Sequence, residues 1–242
     1  VWPKASEQLE NRLVSEVITH MGDRKASARH IGEFMDDLAK LMDAIHAVYG
    51  APGAPEGWSR ALGNTTGLVG GAAAVYLRIN REDLSTEASG MVGFTEEDAL
   101  AYVGAQAAKK DIRLSYLHNL IPGDVFREFE YVTDREAYNR SEWIQYQLER
   151  HGVYWCLSAH VSRGGLWNDY LSINGLKSRG SFSDQEKALV CTMLPHYERA
   201  AELDRLVNGL QSRYGAVLSV LDHFLVGLVI VDGKGNRIVD NL

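Results

Sequence analysis

The chain has 242 residues, 45% of them hydrophobic and 24% charged, with a net charge of −7 at pH 7. That balance describes a globular domain with an ample core and argues against a nucleic-acid surface, which needs a basic stripe. Two cysteines, Cys156 and Cys191, are too few for a disulfide framework and point to a reducing cytoplasm; the longest apolar run, 224–231, is far too short to span a bilayer, and the acidic residues Glu7, Glu10 and Glu16 exclude a signal peptide.

Residues 6–20 read as a helix, with Leu9, Leu13, Val14, Val17, Ile18 and Met21 at helical spacing and Gly22 to end it. The polar stretch 23–31 reads as a connection. A second amphipathic helix follows, its stripe formed by Phe34, Leu38, Leu41, Met42 and Ile45. It stops at the Gly- and Pro-rich run 50–57. A short helix is expected over 58–68, a strand of small residues over 72–79, and the second arm of a hairpin at 91–94. Thr95-Glu96-Glu97-Asp98 places a capping hydroxyl and acidic groups at a helix start.

Residues 116–133 read as loop and short helix, and 134–150 as one helix terminated by Gly152. Two strands, 153–163 and 166–174, meet at Gly164-Gly165, which predicts a hairpin. Ser183-Asp184-Gln185-Glu186 is a capping box, opening a helical pattern that runs to about Phe224. The chain closes on a strand–turn–strand pattern over 227–239.

In the long C-terminal pattern Ala200, Leu203, Val207, Leu210, Tyr214, Val217, Leu221 and Phe224 alternate at spacings of three and four. A 3.5-residue apolar period predicts a left-handed coiled-coil seam and hence a homodimer. The same residues could instead pack on the chain's own body. Pro195, which lacks a backbone donor, is expected to bend the helix where it leaves the sheet.

Aromatic residues concentrate between 126 and 170. On strand 153–161, Val153, Trp155, Leu157, Ala159 and Val161 form a core face, and Tyr154, Cys156, Ser158 and His160 the opposite one. With Tyr131, Trp143, Tyr146, Trp167 and Tyr170, the residues Tyr154, Cys156 and His160 are candidates for an apolar small-molecule site with a few convergent polar groups. The alternative is a core whose aromatic ends hydrogen-bond internally. Arg163 is the only basic residue read beside these strands. No phosphate loop, zinc-binding spacing or nucleophile elbow is present, so neither a catalytic residue nor a metal site is assigned and no enzyme is expected.

Taken in order, several motifs resemble the sensor regions of LuxR-type helix-turn-helix transcriptional regulators. They are Leu41-Met42-Asp43-Ala44-Ile45-His46 with Trp58 and Leu62, the strand at 72–77, Pro122-Gly123 before the 134–152 helix, Gly180-Ser181-Phe182-Ser183-Asp184-Gln185-Glu186, and Leu194-Pro195-His196-Tyr197-Glu198-Arg199-Ala200. The resemblance covers roughly 34–242. It implies an α/β (α+β) fold: a GAF-like antiparallel sheet flanked by helices, with a long C-terminal linker helix leading into a PAS-like hairpin. The organisation it suggests is an N-terminal helical extension (1–31), a sensor domain (32–198), a coiled-coil linker (199–225) and the start of a PAS-like module (226–242).

It further implies a cytoplasmic bacterial regulator that binds a small apolar or aromatic effector and signals through the long helix. DNA would be reached only by a downstream domain that this chain lacks. No resident cofactor is assigned. The alternatives are a ligand-free dimerisation and protein-interaction module, or a haem or bilin sensor near Cys156 and His160.

Overall fold

The computed structural model describes residues 24–104, 111–113, 120–221, 223 and 229–240. The helix expected at 6–20 and the seam residue Phe224 lie outside them, as does the side chain of Leu221.

Helix α1 spans Arg24–Tyr49, α2 Gly57–Leu68 and α3 Glu96–Gly104, with strands β1 (Ala73–Asn80) and β2 (Thr86–Val92) between α2 and α3. After β3 (Val125–Arg127) come three short helices, α4 (Glu128–Tyr131), α5 (Arg135–Arg140) and α6 (Glu142–His151). Strands β4 (Val153–Gly164) and β5 (Trp167–Leu176) precede α7 (Asp184–Leu221), and a separate two-stranded ribbon, β6 (Val229–Val231) and β7 (Arg237–Asp240), follows. The main sheet is antiparallel throughout, in the order β2-β1-β5-β4-β3.

Four sequence expectations change. The hairpin arm expected at 91–94 is the strand Thr86–Val92, with Gly93 and Phe94 beyond its end. Residues 24–31 belong to α1 rather than to a connection. The expected 134–150 helix is two helices, because Ser141 takes an extended conformation (φ −60°, ψ 122°) and serves as the end of α5 and the start of α6. Strand β3 was not foreseen: three residues at a sheet edge are too few to show alternation. Other signals hold. Gly152 ends α6 in the left-handed conformation at φ 68°, and Gly165 turns the β4–β5 hairpin at φ 57°. The Ser183 amide and hydroxyl both donate to Glu186, whose own amide donates back to the Ser183 hydroxyl. Helix α7 runs through Pro195 without interruption.

One sheet face carries a continuous core beneath α1, α2 and α7. Tyr76, Leu157, Leu171 and Ile173 from the strands meet Leu62, Met193, Leu194 and Tyr197. At its centre the ring of Trp58 stacks on Tyr76 (4.5 Å between centroids, 3° between planes), with Tyr197 alongside at 6.0 Å from Tyr76. The Thr65 and Tyr197 hydroxyls share a buried hydrogen bond of 2.9 Å.

The residues of α1 that face this core are small: Ala44, Ala47 and Val48. They let the helix approach closely, and the predicted stripe of larger side chains is divided, with Leu41 and Ile45 packed at the edge of the core. Leu38 and Met42 are exposed, while Leu41 and Ile45 are half-buried. Gly90 of β2 serves a similar purpose, since a Cβ there would lie 2.6 Å from the Trp58 Cβ.

Candidate functional site

The other sheet face is covered by α3, α4, α5, α6 and the connecting segments. Its buried side chains form two small clusters rather than one core: Ile79, Tyr102, Leu120 and Tyr170, and then Tyr131, Val132, Tyr138 and Ile144. Between these elements and the sheet lies a cavity of about 90 Å³, enough for several waters or a small organic molecule.

Alternation along the strands fixes its floor. Val75 and Leu77 of β1, Ser158 of β4, and Tyr170, Ser172 and Asn174 of β5 line it, as do Ala88 and Met91 of β2. The roof is Phe94, Asp98, Ala99 and Tyr102 at and within α3, and Trp143, Tyr146, Gln147 and His151 of α6. On α6 the positions 143, 147 and 151, each four apart, fall on one helical face. Trp143 stacks against Tyr146 (5.1 Å, 16°) and leans on Tyr102 at 4.7 Å, so three aromatic rings make one wall.

The charged groups of the cavity are internally matched. Asp98 is 4% exposed and accepts from the Thr95 amide and hydroxyl at 2.7 Å each and from the Tyr146 hydroxyl at 3.1 Å. Arg150 Nε lies 2.7 Å and His151 Nε2 3.0 Å from it. Burial alone would push the Asp98 carboxyl up, but these donors outweigh it and hold the group well below the usual carboxylate range. Asp111 and Arg113, both buried, form a side-on pair: Nε donates at 2.9 Å and Nη2 at 2.8 Å, and Arg113 Nη1 donates to Asn174 at 3.3 Å. Burial works against the Arg113 charge, yet the adjoining Asp111 keeps the guanidinium firmly protonated.

Of the residues singled out from sequence, Trp143, Tyr146 and Tyr170 line the cavity. Two more sit behind the wall. Cys156 is 1% exposed, with its Sγ 3.2 Å from the hydroxyls of Ser158 and Ser172. His160 stacks on Tyr170 at 4.7 Å and places Nδ1 3.0 Å from the Leu120 carbonyl; burial lowers its pKa and favours the neutral ring. Tyr131 is buried edge-on to Phe126.

Tyr154 and Trp167 are not brought to the cavity. The Tyr154 hydroxyl accepts from Arg135 at 2.9 Å and donates to Asn139 at 2.7 Å, and Arg78 lies over the Trp167 ring at the sheet end, 5.2 Å from its centroid. Arg163 is exposed, and the basic group at the cavity is instead Arg113, supplied by a connecting segment with no periodic signal. Asp98 and Gln147 were also missed. The first reads as a capping residue and is one. The second could have been found from its one-turn spacing to Trp143. Among the described residues, no group of three His, Cys, Asp or Glu side chains could hold a metal ion, and no helix is long and apolar enough to cross a membrane.

Along the predicted seam, Ala200 is fully buried in the chain's own core and so is not a free seam position. The exposed stripe begins beyond it. Leu203 is 40% exposed and Val207 half-buried against the Gly53 loop, while Leu210, Tyr214 and Val217 are at least half exposed, together with Leu206 and Val220.

No protein-family model matches the chain, and no curated protein matches it in sequence. Solved structures do share its fold. The VqsR LBD domain from Pseudomonas aeruginosa is similar with a TM-score of 0.53 at 16% identity, over 73% of this chain and 98% of that one. The GAF domain from a phosphoenolpyruvate-protein phosphotransferase (ptsP) of Coxiella burnetii is similar with a TM-score of 0.51 at 14% identity, over 72% of this chain and 98% of that one. With its antiparallel sheet, flanking helices and long C-terminal helix, this chain has a GAF-like α/β fold.

Proposed function

We propose that this chain is the ligand-sensing and dimerisation region of a bacterial transcriptional regulator of the LuxR type, and not an enzyme. Its effector is a small, largely apolar molecule bound between the sheet and α3 and α6. The observation that carries this reading is the cavity itself: apolar and aromatic walls with a few polar side chains converging on them, the usual form of a small-molecule site. The likeness in fold to a domain described as an LBD supports it.

The relay follows from connectivity. Tyr170 lines the cavity, and the preceding residue, Asp169, points through the opposite face and pairs with Arg205 of α7 at 2.7 Å. An effector that favours one setting of β5 thereby biases α7, provided that it binds the two settings with different affinity. The exposed stripe of α7 would meet its counterpart in a second copy, and operator DNA would be bound by a domain beyond this chain.

Thermal unfolding against a metabolite library tests the sensing role. A true effector at 100 times its dissociation constant should add about 2.7 kcal/mol of stability. That gain should vanish in Tyr170→Arg, which fills the cavity. If no compound shifts the wild type, or if the shift survives Tyr170→Arg, the reading fails.

A further inference from the structure

We infer that the cavity takes an uncharged molecule with a flat apolar body and one carboxamide- or carbonyl-type group, recognised by Trp143 and Gln147. The inference rests on the proposal that the cavity is a ligand site, and it adds the ligand's chemistry.

The polar groups lining the cavity divide into those already committed and those left open. Asp98 and Asp111 are already saturated by donors, so neither offers a free lone pair to a cation. The Arg113 guanidinium is committed to Asp111 and Asn174, and an entering anion would join the carboxyl groups of Asp98 and Asp111 in a low-dielectric space. Among the described residues, a net charge on the ligand is therefore uncompensated either way.

Two side chains on one face of α6 are different. Trp143 lines the cavity, and its Nε1 is buried with no hydrogen-bond partner among the described residues. Gln147, one turn on, is 95% buried and also lines the cavity, and its amide makes no hydrogen bond among the described residues. A buried donor left unmade costs about 1–3 kcal/mol, so the Trp143 N–H calls for a partner, and the uncommitted Gln147 amide lines the same cavity one turn away. Together they offer a Trp N–H, an amide NH₂ and an amide carbonyl. A carboxamide complements all three and a ketone or ester the two donors, while the aromatic wall takes the flat body.

Four probes with a common ring separate the possibilities: benzamide, benzoate, benzylamine and toluene, each titrated calorimetrically into the whole chain. Benzamide should bind at least about tenfold more tightly than the other three, a gap of about 1.4 kcal/mol. Gln147→Met should remove that advantage while leaving the affinity for toluene unchanged, and Trp143→Phe, which keeps the ring stack, should reduce it by roughly threefold to tenfold. Toluene or a charged probe binding as well as benzamide overturns the chemical assignment but leaves a ligand cavity in place. So does an undiminished preference for benzamide in both variants. If none of the four binds, the ligand-site proposal falls with it.

Discussion

Replacing Arg205 by Met tests the link between the sheet and the long helix. Asp169 is 2% exposed on β5. It accepts from the Ser162 hydroxyl at 2.5 Å and from Arg205 Nη1 at 2.7 Å, with Arg78 Nε at 3.5 Å. Breaking a wholly buried ion pair by removing one partner costs about 3–5 kcal/mol, because the other charge is left stranded. Here the Arg205 side chain is 32% exposed, and Ser162 and Arg78 remain. The expected loss is therefore smaller, about 2 kcal/mol, with the methionine retaining the packing of the arginine stem. Asp169→Asn should cost less, since the freed guanidinium can turn to water. The double variant should lose less than the two singles together, by about 1–2 kcal/mol, as befits groups in direct contact. Urea unfolding followed by tryptophan fluorescence gives all three values. A loss below about 0.5 kcal/mol in Arg205→Met, or additivity in the double variant, would refute the claim that this contact ties α7 to the sheet.

Four further outcomes are expected. Burial lowers the pKa of both His160 and His196, so the unfolded chain binds more protons than the folded one; stability should fall as pH drops through about 6.5, and His160→Phe should flatten that slope in unfolding curves taken between pH 7.5 and 5. The depressed Asp98 carboxyl works in the acid range: its contribution is complete above the ordinary carboxylate pKa and disappears as pH falls through the folded value, so Asp98→Asn should cost about 1–3 kcal/mol at pH 7 and progressively less below pH 4. A double change of Leu210→Lys and Val217→Lys should leave the melting temperature of the sensor body unmoved but abolish dimers in sedimentation at micromolar concentration; a wild type that is itself monomeric there would end the coiled-coil proposal. Gly93→Ala should destabilise by more than about 2 kcal/mol in chemical unfolding, because φ is 72° and the new methyl would sit 2.4 Å from the Ala72 carbonyl oxygen.

The sequence revealed elements whose signals are local and redundant. The Ser183–Glu186 box, the Gly152 stop and the Gly164-Gly165 turn each specify backbone geometry within a few residues, and all three behave as read. The face assignment on β4 was also legible, because strict alternation leaves Leu157 and Ala159 on one side and Cys156 and Ser158 on the other. What failed lacked a period or had two meanings. Ser141 interrupts an otherwise helical stretch through its own backbone angles, which no hydrophobic pattern records. On α1 the large apolar side chains suggested the whole buried stripe, of which Leu41 and Ile45 do pack against the core, whereas the fully buried positions are the smaller Ala44, Ala47 and Val48. At the cavity, the aromatic residues were visible from composition, but the side chains that give it polarity were not. Arg113 arrives from a connecting segment, and Gln147 looks like any surface glutamine until the fold buries it.

The two sheet faces are unequally built. Beneath α1, α2 and α7 the apolar side chains interlock as one body, while the cavity side is divided into separate patches beneath short helices. Cooperative opening follows such divisions, so α3 and α6 should admit solvent deuterons to their amides well before the Trp58–Tyr76–Tyr197 layer does. A guest lodged beneath them would then act chiefly as a fastener on the looser half, and occupancy would be written in exchange rates before it altered any average shape.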